Sequence, residues 1–142
     1  MKFEPTYANY KAKIANSFAQ QSMMATLGAK LVDVLPGHCS IMAPILTGSL
    51  QQHGYAHAAL TFAIGDSAAG YAALSLLDED KDVLTVEMKI NLLAPAKGER
   101  LIAKGDVIRA GRRLIIVRSE VIAESGGQSE TVAILQGTMM PV

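Results

Sequence analysis

A single cysteine, Cys39, leaves the chain no partner for an internal disulfide, which fits a reducing compartment. Cys39 lies in an alternating segment beside His38, whose side chain points to the opposite face, so it reads as a small packing residue and not as a nucleophile. Net charge is lacking too. Thirteen acidic residues against 13 basic ones give no global attraction to nucleic acid or to an anionic membrane. The opening stretch, MKFEPTYANYKAKIANS, has none of the apolar core of a secretory signal, and a cytoplasmic location is the expectation. There is no glycine-rich phosphate loop, because Gly54 and Gly65 fit neither dinucleotide nor Walker spacing. His38, His53 and His57 do not combine with carboxylates at metal-binding intervals, so no metal is expected. Linkers, repeats and low-complexity tracts are absent as well, and 142 residues is a common size for one domain with its own core.

What is there is a long apolar run. From Ala58 to Leu77 the chain reads AALTFAIGDSAAGYAALSLL, with Asp66 as its one ionisable side chain. A membrane span is disfavoured by that central carboxylate and by the lack of a flanking basic cluster. A helix apolar on nearly every face must instead be enclosed by other structure. Its carboxylate then needs a reason to be there: a neighbouring hydroxyl such as Ser67, contact with solvent, or chemistry.

Before this run, Tyr7, Tyr10, Ile14, Phe18 and Met24 recur at helical intervals and predict a helix over Thr6 to Leu27, stopped by Gly28. Lys30 to Leu35 and Cys39 to Ile45, joined by Pro36-Gly37, predict a hairpin. Asp78 to Asp82 reads as a solvated turn. After it, Leu84, Val86, Met88, Ile90 and Leu92 alternate with Thr85, Glu87, Lys89 and Asn91, the pattern of a strand with one buried face. Arg100 to Arg109, Arg112 to Glu124 and Glu130 to Met140 follow after short turns, and the four strands are expected to form a meander. The architecture expected is α+β: a six-stranded antiparallel sheet covered by one long helix, with an N-terminal helix. Open edges in such a layer favour closure as a homodimer.

The segment Gln51-x-His53-Gly54-x-x-His57-Ala58-Ala59, with Asp66 nine positions after His57, resembles the active-site segment of hotdog-fold acyl-CoA thioesterases of the PaaI-like, phenylacetic-acid-degradation branch. Thr85 to Asn91, Pro95-Ala96 and Gly98 resemble that family's strand after the helix, and Arg109-Ala110-Gly111-Arg112-Arg113 its next tight turn. The likeness runs from about Phe18 onward. One departure is that Ala58 and Ala59 stand where the family commonly has two glycines.

Thioester hydrolysis needs a base or nucleophile, and a donor aimed at the carbonyl oxygen as it gains charge. The first amides of a helix lack internal partners and sit at its positive end, so Ala58 or Ala59 is a candidate donor. Asp66 lies about 13–14 Å beyond His57 along the helix, too far to act at that end. The resemblance implies a dimer, or a dimer of dimers, with antiparallel central helices and composite sites. It implies Asp66 as general base or nucleophile, Gln51 holding the thioester or water, and Thr85 orienting water. His57 is either part of that junction or a helix cap. The substrate implied is an acyl-CoA, with coenzyme A as a part of the substrate and no separate cofactor. Its phosphates would meet Arg109, Arg112 and Arg113 around Gly111, and Lys89 and Asn91 would meet the pantetheine arm or the phosphates. A non-catalytic acyl-CoA binding module and a hotdog dehydratase or hydratase are the alternatives.

Overall fold

The computed structural model describes residues 2–142. Its helices are α1 (Tyr10–Gln20), α2 (Ser22–Thr26) and α3 (Ala58–Leu74). Its strands are β1 (Lys30–Leu35), β2 (His38–Pro44), β3 (Val83–Leu92), β4 (Arg100–Ala110), β5 (Ile115–Ser125) and β6 (Gln128–Pro141). All pairings are antiparallel, in the order β1-β2-β4-β5-β6-β3, and α3 lies across one face of the sheet. This is the hotdog arrangement.

Two expectations change. The N-terminal helix is not continuous: Gln21 is extended (φ −77°, ψ 98°) and separates α1 from α2. At that break the Gln21 side-chain amide donates to Tyr71 Oη at 2.6 Å, a hydroxyl that also lies 3.1 Å from Ser17 Oγ. The four-strand meander is likewise a three-strand one. β4, β5 and β6 follow each other, but β3 pairs with β6 at the sheet edge, and β4 pairs with β2. The segment from Leu93 to Glu99 therefore carries the chain from one side of the sheet to a strand three places away.

The core forms between α3 and the inner sheet face: Ile64, Ala68 and Ala72 of α3 meet an apolar layer that includes Ile41, Leu101, Val117, Val121 and Leu135, all fully buried. Cys39 belongs to this layer as a packing residue, and burial pushes its thiol up to about 12. Gly105 of β4 sets how close the helix comes. A Cβ there would sit 2.3 Å from the carbonyl carbon of Ala68, so α3 rests with its backbone directly on the strand. Ser119 Oγ of β5 donates to the Gly65 carbonyl at 2.6 Å and fixes the helix one residue before Asp66.

The face of α3 turned away from the sheet is less covered. Ala59 and Phe62 are exposed, and Ala63, Asp66, Ser67 and Gly70 are half-buried along the same stripe. β3 beside it is also open: Leu84 and Val86 are 56% and 54% exposed, against the expectation of one buried face. A bulge explains the difference. The register against β6 shifts between Thr85 and Glu87, so Thr85 pairs with the buried Met139 on the helix side, together with Met88 and Ile90. Strict alternation would have put Thr85 on the face of Glu87 and Lys89.

Candidate active site

Two centres stand apart on α3, one at its start and one at its midpoint. At the start of the helix, Gln51 to His57 form a loop held by its own backbone. The Gln51 N–H donates to the Tyr55 carbonyl at 2.8 Å, and the His57 N–H to the Ser49 carbonyl at 2.8 Å. The Gln51 side-chain oxygen accepts from the His53 N–H, and the amide NH2 of Gln51 has no partner among the described residues. His57 is the N-cap of α3: its Nδ1 accepts from the Ala59 N–H at 2.8 Å. That bond occupies the Ala59 amide and narrows the pair of possible donors to Ala58, whose N–H has no protein acceptor among the described residues.

A cavity of about 550 Å³ opens at this helix start. Gln51, Tyr55, His57, Ala58 and Thr61 line it, together with the apolar side chains of Leu92, Leu93, Pro95 and Val132. Asp66 and Thr85 do not reach it. Thr61 is not singled out by any spacing in the sequence; the signal available there is a hydroxyl inside an otherwise apolar turn of helix.

The second centre is Asp66. Its Oδ1 accepts from Thr85 Oγ1 at 2.8 Å, and the same hydroxyl lies 3.3 Å from Met139 Sδ. Burial pushes the Asp66 carboxyl above the ordinary carboxylate range, and the Thr85 hydrogen bond pulls it partly back. Ser67, the other hydroxyl near it in sequence, makes no bond to it. Asp66 is thus a half-buried carboxylate held by one hydroxyl, with no ion pair among the described residues.

The register also locates the arginine turn. Thr85 pairs with Met139, Met139 with Ile115, and Ile115 with Ala110, so the turn between β4 and β5 lies at the Asp66 end of the sheet. Arg109, Arg112 and Arg113 are exposed and make no ion pair among the described residues. Gly111 lets the turn close, since a Cβ there would meet the Leu114 carbonyl oxygen at 2.5 Å. Lys89 and Asn91 sit on the outer face of the sheet, in a shallow depression with Glu87, Ile134 and Gln136, so the bulge puts them on the face opposite Thr85. His53 is exposed, bonded only through its backbone. His38 lies elsewhere, its Nδ1 2.7 Å from Asp106 Oδ1 and its Nε2 3.0 Å from Ser40 Oγ. No cluster of three metal-ligating side chains occurs among the described residues.

A carboxylate, a hydroxyl beside it, a free helix N-terminal amide and an apolar cavity are groups that thioester hydrolysis can use. A profile of the Thioesterase superfamily matches residues 53–130, more than half the chain and all of the stretch from the helix start to β6. The chain belongs to the Thioesterase superfamily. A thioesterase family protein from Silicibacter pomeroyi is 41% identical and superposes with a TM-score of 0.92, over 94% of this chain and 98% of that one. A Deinococcus radiodurans protein provisionally named an esterase is 31% identical over 118 residues, 83% of this chain and 77% of that one. The PaaI protein of the E. coli phenylacetic acid degradation operon shares the fold, with a TM-score of 0.83 at 19% identity over 94% of both chains. This superfamily member is thus a hotdog-fold thioester hydrolase. None of its helices, among the described residues, is long and apolar enough to cross a membrane.

Proposed function

We propose that this thioester hydrolase acts on acyl-CoA at two composite sites of a homodimer, in which α3 of one subunit runs antiparallel to α3 of the other. The observation that carries the reading is the separation of the two centres: Asp66 is eight residues, about 12 Å, along α3 from Ala58. One chain cannot bring both to the same carbon. The half-open stripe from Ala59 to Gly70 and the exposed Leu84 and Val86 of edge strand β3 offer the apolar surface that such a pairing would cover.

In the composite site the Ala58 N–H of one subunit meets the thioester oxygen, at the positive end of the helix dipole, as charge develops there. Gln51 presents its free amide NH2 beside it, and the acyl group enters the cavity behind. Asp66 of the other subunit, its carboxylate oriented by Thr85, takes a proton from the water that attacks the carbonyl carbon; the C–S bond then breaks and the coenzyme A thiolate leaves and takes up a proton. In the nucleophilic route Asp66 itself attacks, the thiolate leaves, and water hydrolyses the resulting anhydride to the free acid. His57 acts through the cap and not as a base. Because the turn at Gly111 lies on the Asp66 side, Arg109, Arg112 and Arg113 come from the same subunit as the carboxylate and meet the phosphates of coenzyme A. Lys89 and Asn91, on the outer face, serve only the far end of the coenzyme A moiety.

The test is thiol release from a panel of aryl- and alkyl-CoA thioesters. Wild type should release thiol from at least one of them. Asp66→Asn and Asp66→Ala should lose on the order of 10³-fold or more in kcat while still binding the thioester. Turnover essentially unchanged in Asp66→Ala would end the assignment.

A further inference from the structure

Thr61 is fully buried, at 1% exposure, and lines the cavity at the start of α3. Its Oγ1 is a buried side-chain atom with no hydrogen-bond partner among the described residues. In a helix, a threonine hydroxyl commonly satisfies itself on a carbonyl one turn back, which is one of its two favoured rotamers. Thr61 forgoes that bond. Leaving a buried hydroxyl unpaired is unfavourable, and none of the polar side chains that line the same cavity, Gln51, Tyr55 and His57, bonds to it.

We infer that Thr61 is a specificity-determining residue, whose hydroxyl pairs with an oxygen carried by the acyl group close to its thioester end. The inference rests on the acyl-CoA reading above, with the thioester oxygen at the Ala58 N–H. Thr61 is three residues further along α3, a rise of about 4.5 Å, and helical side chains lean back toward the N-terminus. Its hydroxyl therefore lies beside the first few carbons of an acyl chain anchored at Ala58. An oxygen on the third carbon, as in a 3-hydroxyacyl thioester, is the group the hydroxyl would pair with; because Oγ1 is enclosed in its present rotamer, the pairing requires Thr61 to turn about its Cα–Cβ bond to another staggered rotamer. The remaining wall is apolar and accepts the rest of a short chain. Such a site discriminates well, because the analogue lacking the oxygen leaves the threonine as unpaired as it is in the free protein, whereas the oxygenated substrate gains a bond out of contact with water.

The experiment compares butyryl-CoA with 3-hydroxybutyryl-CoA by thiol release, for wild type, Thr61→Val and Thr61→Ser. Wild type is expected to favour the 3-hydroxy substrate by roughly 10-fold or more in kcat/KM. The ratio should fall toward one in the near-isosteric Thr61→Val and return in Thr61→Ser. Equal kcat/KM for the two substrates in wild type, or a preference that survives Thr61→Val, overturns the inference. Calorimetric affinities of Asp66→Asn for the same two thioesters, with and without Thr61→Val, give the ratio without turnover. If wild type released no thiol from either substrate or from the wider panel, the acyl-CoA hydrolysis reading would fail, and the affinity ratio would still decide on Thr61.

Discussion

Thr85 Oγ1 donates to Asp66 Oδ1 at 2.8 Å, and it does so because a bulge turns one residue of an edge strand toward the helix. Burial and this bond act on the carboxyl in opposite directions. Burial is the larger effect, and Asp66 titrates above the usual carboxylate range. The reaction needs the ionised form, so the acidic limb of the kcat/KM profile should stand above that of an ordinary carboxylate. Thr85→Val removes the opposing influence and should move that limb further up. A pH–rate series on the two proteins measures it; a limb that shifts down in Thr85→Val would contradict the account.

The same raised value has a consequence for stability. A carboxyl that binds its proton more tightly folded than unfolded stabilises the fold below its unfolded value, and this contribution is lost as pH rises through the folded value. Asp66→Asn mimics the neutral form at every pH. Its Tm should exceed that of wild type at neutral pH, and the gap should close as the pH is lowered through the Asp66 titration. Thermal melts across that range decide it.

Ala58 is the first residue of α3, a position where proline is tolerated because the amide has no helical partner. His57 before it is already extended, at φ −63° and ψ 143°, as a residue preceding proline must be. Ala58→Pro therefore deletes the proposed oxyanion donor and leaves the fold intact, with a loss of about 10²–10³ in kcat. In a mixture of Ala58→Pro with Asp66→Asn, each inactive alone, the mixed dimers regain one complete site. Thiol release should reappear on refolding the two together, and its absence would sink the shared-site arrangement.

His57→Ala removes the cap on the Ala59 amide and should cost about 1 kcal/mol in denaturant unfolding, with His57→Asn recovering most of it. If His57 capped the helix and did nothing else, kcat in His57→Asn should stay within about tenfold of wild type, short of the roughly 10²–10⁴-fold loss expected on removing a general base.

Gly105→Ala drives a methyl into the backbone of α3 at Ala68, with no flexible side chain to give way. A destabilisation of roughly 1–3 kcal/mol or more follows, measurable in the same unfolding experiment.

Much of this was readable from residue order. The long run from Ala58 had to be an enclosed helix, while its lone carboxylate was open to a neighbouring hydroxyl, solvent or chemistry. The strands after Asp78 were legible from their period and turns. Their neighbours were not, because local alternation says which face a residue takes and nothing about whether β3 docks on β4 or on β6. The bulge at Thr85 was equally silent: alternation alone sends Thr85 to the polar face, and the family resemblance singles it out only as a hydroxyl that orients water, not as a partner of Asp66. The break at Gln21 followed from a distant hydroxyl on Tyr71, which no short-range pattern records. Thr61 was hidden because its significance lies in what its hydroxyl fails to touch.

The docking of β3 against β6 has a consequence for the order of assembly. β3 precedes its only neighbour in the sheet by some forty residues, and that neighbour is the last strand of the fold. Thr85 can hold Asp66 only after everything in between has been laid down. The proposed catalytic pair is thus held in place only where the last strand has docked, and a chain lacking that strand would have nothing to seat β3 against the carboxylate.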